Sequence, residues 1–381
     1  MNWLYGAFFA SIVLALLAGS KIRFVLSSSK NTRTNQDESA LKSKKKNYNS
    51  FFTLLFFGLL LFVVACREGF IDTPDYRFMY EQIGPHIHRA FNNTVPRVEQ
   101  GYLFITALLN MVSTDSQFLL LVFGAATTVC FAVVLLKYTE NATFSLILYV
   151  CNMWVACMNG LRQIFVASLI SLFGALWISE KSNVRKTVGF IALCLLLSTV
   201  HTSAILCIPF YFMAKGKFMN KWVIGSTVCT VVLLMFPALY ETVFRFLTSG
   251  LSYAEMLDSE ATMGASRLLI SGAPVVLFLI YHYSKPDREY DESVSWMLNL
   301  MVFGFLFSLL SLKMVYFSRM RMYFSIFITI TLPYVVNRMF DKKNRNLVIF
   351  FISLLYIAVF IYQLGAYGEE VTDFRLFFEQ F

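Results

Sequence analysis

Long stretches without a charged side chain recur along the whole chain and are separated by polar segments. A helix needs roughly 20 residues to cross the hydrocarbon core of a bilayer, and most of these stretches come close to that length. The pattern predicts an all-α polytopic integral membrane protein with about 10–12 transmembrane helices. The stretches cover residues 2–20, 50–66, 117–136, 142–161, 163–179, 187–214, 222–240, 268–284, 293–312, 322–337 and 346–368.

The stretch 187–214 is too long for one membrane helix and has basic residues on both sides. As a single helix it would measure about 42 Å, against a hydrocarbon core of about 30 Å. A hairpin that enters and leaves from one side keeps both basic flanks in the cytoplasm, and its bend would fall near His201 in STVHTSA. We therefore expect a broken or hairpin segment near His201, below the outer surface.

Basic residues set the predicted orientation, because cytoplasmic loops of membrane proteins carry an excess of Lys and Arg. The polar linker 21–49 carries eight of them and is predicted to be cytoplasmic. The segments 67–116 and 241–267 then become outer-face loops, and the acidic tail 369–381 also lies outside. Residues 100–114 are predicted to form a short surface helix, because counting them as a span would put later basic loops on the wrong side.

The composition supports a membrane protein, and the whole chain, 1–381, is expected to form a single transmembrane domain. Apolar residues make up 57% of the chain and charged residues only 14%, against roughly 25% in soluble domains. The net charge of +9 is scattered through the loops, so nucleic acid is not an expected partner. The seven Cys show no metal-ligand or disulfide spacing, and there is no Gly-rich phosphate loop. No metal and no cofactor are therefore expected.

The basic residues on the two predicted faces differ in type. Most on the cytoplasmic side are Lys, whereas nearly all on the outer side are Arg, whose guanidinium fork suits phosphate or carboxylate recognition. Arg162, Arg267 and Arg321 each directly precede an apolar stretch that runs from outside to inside. An anion there would be favoured by the Arg and by free backbone N–H groups together. This predicts a diphosphate cradle, with Arg319 nearby; the alternative is Arg side chains that reach headgroups or pair with local acids.

Carboxylates and tyrosines are concentrated in the first outer loop, REGFIDTPDYRFMYEQIG. On a helix, Tyr76 and Tyr80 would share a face with Asp75 beside them. Aromatic faces stack on sugar rings and carboxylates accept hydroxyl protons, so this loop, with Arg67 and Asp72 at its start, is predicted to bind a glycan. Whether Asp72 or Asp75 is the key acid stays open. The alternative is a solvated loop with local salt bridges.

Two further positions extend this predicted site. Glu99 opens EQGY, which also contains Tyr102, and would place a second carboxylate at the same surface. His201 lies in the middle of an apolar stretch, where an ionisable side chain usually has a partner or a function. It would act as a general base on an acceptor hydroxyl or donate to a phosphate. The alternative is a neutral His bonded to a backbone carbonyl.

Short motifs recur in a recognisable order over roughly residues 50–340. They are R-x-G and D-Y-x-x-x-Y in the first outer loop, E-x-G-Y at a short helix, N-G-L-R-Q before a span, V-H-T-S-A and P-F-Y around the break, and R-M-R before a late span. This order resembles the EpsG family, the Wzy-like polymerases of bacterial capsule, exopolysaccharide and O-antigen repeat units.

The resemblance implies that the protein joins oligosaccharide repeat units carried on undecaprenyl diphosphate, in the lipid bilayer of the bacterial cytoplasmic membrane. It leaves open whether a chain-length regulator and a flippase are partners. The residues expected to be catalytic are Asp75, His201, Arg162 and Arg321. The residues expected to bind substrate are Arg67, Asp72, Tyr76, Tyr80, Glu99, Tyr102, Arg267 and Arg319.

Two other functions remain to be weighed. A lipid-linked-sugar glycosyltransferase or O-antigen ligase would differ mainly in the acceptor, which the sequence does not show. A polysaccharide flippase or transporter should place charges and broken helices near mid-membrane in both halves of the chain. Here only His201 is deep and the charges gather on one face, which favours an enzyme at the outer surface.

Overall fold

The protein is helical throughout the part of the chain that is described. The computed structural model describes residues 3–19, 48–92, 98–179, 183–236, 238–242, 264–284, 290–314 and 317–380. These residues contain no β-strand, and their isolated β-bridge joins Arg67 to Leu376. The all-α prediction is confirmed. The predicted linker 21–49 and second outer loop 241–267 lie mostly outside the described residues.

The helices follow the apolar stretches closely. In the first half of the chain they are α1 (Trp3–Ala18), α2 (Ser50–Cys66), α3 (Thr73–Ile83), α4 (Ile87–Asn92), α5 (Gln100–Asn110), α6 (Ser116–Tyr138), α7 (Ala142–Tyr149) and α8 (Leu161–Trp177). In the second half they are α9 (Val184–Ser198), α10 (Cys207–Met213), α11 (Lys221–Met235), α12 (Ala265–Tyr283), α13 (Glu292–Leu310), α14 (Phe317–Arg321), α15 (Ser325–Met339), α16 (Lys342–Gly365) and α17 (Glu369–Thr372).

Four of the described helices are long and apolar enough to cross a membrane, namely α6, α13, α16 and residues Ser266–Tyr283 of α12. Six shorter apolar helical segments accompany them. Since a spanning helix needs an apolar surface along about 20 residues, this set identifies a multi-pass membrane protein. The large apolar side chains that remain exposed on these helices, such as Leu54 and Phe350, have the location expected of lipid contacts.

The predicted break near His201 is present. Helix α9 ends at Ser198, His201 is extended (φ −152°, ψ 110°), a 3₁₀ turn covers Thr202–Leu206, and α10 follows. Helix α9 is about 22 Å long and α10 about 10 Å, so neither crosses a bilayer core. The chain therefore turns within the bundle and leaves backbone groups near His201 available for other contacts.

The stretch 142–161 differs from the single span that its composition predicts. Helix α7 ends at Tyr149 and continues as a π-helical turn over Val150–Trp154 and a 3₁₀ turn over Val155–Met158. Such π-helical turns are found mostly within α-helices, often at functional sites. This irregular passage leads directly into Gly160, at the start of α8.

Helix α5 docks on the end of α9. It has 11 residues, about 16 Å, which agrees with a short helix that does not span. The backbone N–H of Gly101 donates to the carbonyl of Thr199 at 2.8 Å. A Cβ atom at Gly101 would lie 2.7 Å from that carbonyl oxygen, so the two segments approach this closely only because residue 101 is glycine. The contact holds the start of α5 beside His201.

The C-terminal segment packs against the first predicted outer loop. The N–H of Glu68 donates to the carbonyl of Arg375 at 3.0 Å, and the N–H of Ile71 donates to Glu370 Oε2 at 2.8 Å. Phe374 and Leu376 are buried. The loop and the tail, both predicted to be outside, therefore lie at the same end of the bundle.

Candidate active site

Side chains from four separate segments meet at the end of the bundle that is predicted to face outward. Glu99 precedes α5, Arg162 lies in the first turn of α8, and His201 and Thr202 come from the break after α9. Tyr76 of α3 and Tyr102 of α5 lie beside Arg162. We call this group the Glu99 cluster: Tyr76, Glu99, Tyr102, Arg162, His201 and Thr202.

Glu99 is the centre of the cluster. Its Oε2 forms an ion pair with Arg162 Nη1, and both side chains are mostly buried, at 14% and 16% exposure. Its Oε1 accepts from the backbone N–H and the hydroxyl of Thr202, at 2.8 and 3.1 Å, and lies 3.4 Å from His201 Nδ1. Burial by itself would raise the pKa of the Glu99 carboxyl, but His201, the Arg162 charge and the Thr202 N–H outweigh it and lower the pKa to about 2.

Two tyrosine rings flank the Arg162 guanidinium. Its central carbon lies 5.3 Å from the ring centroid of Tyr102 and 6.0 Å from that of Tyr76, and the two rings are 6.0 Å apart at a steep angle. Both rings are buried. Tyr76 belongs to the stripe of Thr73, Tyr76, Tyr80 and Ile83 that α3 turns toward the core, and Tyr102 lies on the buried face of α5. Cation–π attraction of this kind adds to the ion pair in fixing the guanidinium.

Asp72 meets the same region through the start of α8. Gly160 adopts a left-handed conformation (φ 76°, ψ 47°) as the N-cap, and its N–H donates to Asp72 Oδ2 at 2.7 Å. Asp72 Oδ1 is buried without a hydrogen-bond partner among the described residues. Burial raises the pKa of Asp72, although the Gly160 hydrogen bond and the charges of Arg67 and Arg319 oppose the rise. Asp75, by contrast, is exposed on α3, away from the buried stripe.

Arg67 and Tyr80 are held by contacts within the fold. Arg67 is fully buried, donates from Nε to the Thr73 hydroxyl at 2.8 Å, and donates from Nη1 to the Val64 carbonyl. Burial lowers the pKa of Arg67 to about 10, against the opposing effect of the Asp72 charge. The hydroxyl of Tyr80 donates to the Ser113 carbonyl at 2.6 Å. Their predicted substrate contacts stay predictions, while their visible contacts hold the first loop in place.

The remaining predicted arginines, Arg267, Arg319 and Arg321, are not members of the Glu99 cluster. Arg319 and Arg321 belong to the short helix α14, which ends before α15 begins at Ser325. Arg162 and Arg267, by contrast, lie in the first turns of α8 and α12. The Arg319 carbonyl accepts from Gln163 Nε2 at 2.9 Å, which ties α14 to α8.

Arg267 and Arg321 form what we call the arginine pair. Burial lowers the pKa of Arg321 to about 10, and the positive charge of Arg267 lowers it further in the same direction. Arg267 Nη2 donates to the Tyr367 hydroxyl at 3.4 Å, while Arg321 Nε is buried without an acceptor among the described residues. No described carboxylate forms a salt bridge with either side chain. The pair is therefore a positive site without a described counter-charge.

Comparison with known families decides the assignment. A family model described as the EpsG family matches residues 50–372, which includes the Glu99 cluster, Asp72 and the arginine pair. The protein belongs to the EpsG family. This is a family of Wzy-like polysaccharide polymerases, so the family supports a polymerase role of the glycosyltransferase type. No curated protein and no solved structure matches the chain.

The EpsG-family protein holds site residues that sequence reasoning did not single out. Thr202 follows His201 and supplies two hydrogen bonds to Glu99, and Gly160 supplies one to Asp72. Gln163 joins α8 to α14, and Tyr367 of the C-terminal segment contacts Arg267. Thr202 lies within V-H-T-S-A and Gly160 within N-G-L-R-Q, so these motifs could have identified both residues as part of the candidate site. Among the described residues, no group of three His, Cys, Asp or Glu could hold a metal ion.

The lowered pKa of Glu99 predicts a loss of stability in acid. In the unfolded chain the carboxyl takes up its proton near the ordinary value of 4.5, and in the folded protein only near 2. The stabilising contribution, about 3 kcal/mol, is therefore complete above pH 4.5 and is lost as the pH falls toward 2. We expect the difference in melting temperature between the wild type and Glu99→Gln in detergent to shrink from pH 6 to pH 3. A difference that stays constant over this range would contradict the ion-pair geometry.

Proposed function

We propose that this EpsG-family protein polymerises undecaprenyl-diphosphate-linked oligosaccharide repeat units into a surface polysaccharide, at the outer face of the bacterial cytoplasmic membrane. The polymer would be a capsule, an exopolysaccharide or an O-antigen. The family supports the polymerase role, and the basic linker 21–49 supports the orientation. The observation that carries the proposal is a positive site without a described counter-charge, the arginine pair, at the same end of the bundle as a carboxylate–His cluster.

The reaction that suits this site is transfer from a lipid diphosphate to a sugar hydroxyl. The bond between the anomeric carbon of the growing chain and the diphosphate oxygen breaks, and its electron pair leaves with the diphosphate. The acceptor hydroxyl oxygen of the next unit bonds to that carbon and gives its proton to a base. Such a donor carries its own leaving group, so no cofactor is needed for the step.

The leaving group is assigned to the arginines. As the glycosidic bond breaks, negative charge grows on the departing diphosphate, and fixed donors aimed at that charge stabilise the transition state. Arg267 and Arg321 have no described carboxylate that competes for them, and their guanidinium forks match phosphate oxygens. Arg319, on the same short helix as Arg321, would be a further donor to the diphosphate.

The acceptor is assigned to the Glu99 cluster and Asp72. Glu99 is already engaged by Arg162 and Thr202, so its role is to orient His201 through Nδ1, which leaves Nε2 available to a hydroxyl. Asp72, with a buried and unpartnered oxygen and a raised pKa, is the second candidate base. Asp75 is exposed and would meet the glycan from the aqueous side.

Deletion of the gene tests the proposal directly. We expect long polysaccharide chains to disappear from gels of surface glycans, while single repeat units build up on the extracted lipid carrier, because assembly of the unit continues and only joining stops. Re-expression of the wild-type gene should restore the long chains. A repeat unit that lacks one sugar would indicate a lipid-linked-sugar glycosyltransferase. Long chains that build up on the lipid carrier would indicate a ligase, and loss of export without such intermediates outside would indicate a flippase.

A further inference from the structure

An apolar groove runs along the outside of the bundle between α12 and α13. Its volume is about 630 Å³ and its lining is almost entirely hydrocarbon. On α12 its wall is formed by residues spaced by one turn, which places them on one face of the helix. These residues are Leu268, Leu269, Gly272, Ala273, Val276, Leu277 and Ile280, and α13 contributes Phe305.

The floor of the groove depends on a small residue. A Cβ atom at Gly272 would lie 2.6 Å from Phe305 Cε2, so the glycine lets the Phe305 ring lie against the α12 backbone. Leu269, Val276 and Ile280 are each a little over half exposed, so the groove that they line is open to the side. In a bilayer this side faces lipid, so a flexible hydrocarbon chain can enter the groove laterally.

The upper end of the groove adjoins the arginine pair. Leu268 follows Arg267 directly in α12, so the apolar stripe begins where the positive site ends. Near that end α12 begins at Ala265 with Gly264 as its N-cap, and no side chain among the described residues caps it, which leaves the positive end of the helix open to an anion. From Leu268 to Ile280 the groove descends about 18 Å, more than half of a hydrocarbon core of about 30 Å.

We propose that this groove binds the polyprenyl chain of the lipid diphosphate donor, with the diphosphate held by Arg267 and Arg321. The proposal rests on the proposed function and adds the location of the lipid. Charge complementarity identifies the occupant. A diphosphate brings two adjacent phosphates to two arginines whose charges act on each other, and a single long hydrocarbon chain leaves it in one direction, as this groove leaves Arg267 along α12. An ordinary phospholipid brings one bridging phosphate and two chains.

Photo-crosslinking on the purified full-length protein in nanodiscs tests the location. The probe is a polyprenyl diphosphate that carries a diazirine on its hydrocarbon chain, and the crosslinked peptides are identified by mass spectrometry. We expect crosslinks to α12 and α13, competition by unlabelled polyprenyl diphosphate, and little competition by phosphatidylglycerol. Crosslinks spread over all lipid-facing helices, or equal competition by phosphatidylglycerol, would overturn the proposal.

A pair of matched variants separates the groove from the bundle surface. Val276→Trp fills the groove, whereas Val228→Trp places the same side chain on α11 outside it, and both valines are similarly exposed, at 52% and 58%. We expect binding of the probe to weaken about tenfold in Val276→Trp only. Equal binding by the two variants would refute the groove even if gene deletion abolished long chains. Groove binding together with unchanged chain length after deletion would support the lipid site and refute the polymerase.

Discussion

Replacing Arg162 by alanine is expected to abolish long polysaccharide chains while the protein remains in the membrane. Arg162 neutralises Glu99 and is fixed between Tyr76 and Tyr102, so its loss leaves the carboxylate without its main counter-charge. In the proposed mechanism Glu99, whose Oε1 lies 3.4 Å from His201 Nδ1, then no longer orients His201. Misplacing a reacting group by about 1 Å lowers turnover about 100-fold. The measurement is gel analysis of surface glycans from a deletion strain that expresses the variant at the wild-type level.

The chain offers a matched control for this experiment. Arg338 also pairs with a carboxylate, Glu140, and also stacks on a tyrosine, with its central guanidinium carbon 3.6 Å from the Tyr334 ring centroid. It lies at the end of α15 that is predicted to be cytoplasmic. Arg338→Ala should leave chain length unchanged. If Arg162→Ala also makes chains of normal length, the Glu99 cluster is not part of the active site.

Arg162→Ala should also destabilise the folded protein. Removing one partner of a mostly buried, hydrogen-bonded ion pair costs about 1–3 kcal/mol, because the other partner keeps its desolvation penalty. Arg162→Lys restores the charge but not the planar fork or its stacking on two rings, so it should recover stability better than activity. Wild-type activity in the lysine variant would reduce the role of Arg162 to simple charge.

The sequence predicted the helices well where a continuous apolar stretch forms one continuous helix. Apolar stretches fixed most helix bounds to within a few residues, because in a bilayer only a continuous helix satisfies the backbone of an apolar run. The break near His201 was predictable for the same reason, since a helix that covered the whole stretch would exceed the bilayer core. The π-helical turn after Tyr149 was not predictable, because its stretch is as apolar and as long as any ordinary span.

The sequence predicted which residues belong to the candidate site, but it did not predict which of them contact each other. Glu99 and His201 were both candidates, but they are 102 positions apart, and their contact arises from the close approach of Gly101 to Thr199. Asp72 accepts from the Gly160 N–H and Asp75 does not, and this tertiary contact is one that helical periodicity does not encode. Arg321 was expected at the first turn of a span and lies on a separate short helix.

Replacing Arg321 by alanine is expected to abolish long chains without a loss of stability. Arg321 lies beside Arg267, has a buried Nε without an acceptor among the described residues, and forms no described salt bridge. Its removal relieves like-charge repulsion in a poorly solvated site, so the melting temperature in detergent should hold or rise. Activity should fall about 100-fold or more, because a donor aimed at the leaving diphosphate is lost.

The opposite changes in stability expected for Arg162→Ala and Arg321→Ala distinguish an arginine that holds the fold together from one that binds a ligand. A residue kept for packing or pairing destabilises the fold when it is removed, as expected for Arg162. Removal of a residue that only binds a ligand does not destabilise the ligand-free protein, as expected for Arg321. Arg321→Lys should regain only part of the activity, because a point charge does not reproduce a bidentate contact with phosphate. A stable Arg321→Ala protein that makes chains of normal length would exclude the arginine pair as the diphosphate site. A lower melting temperature with normal chains would assign Arg321 to the fold instead.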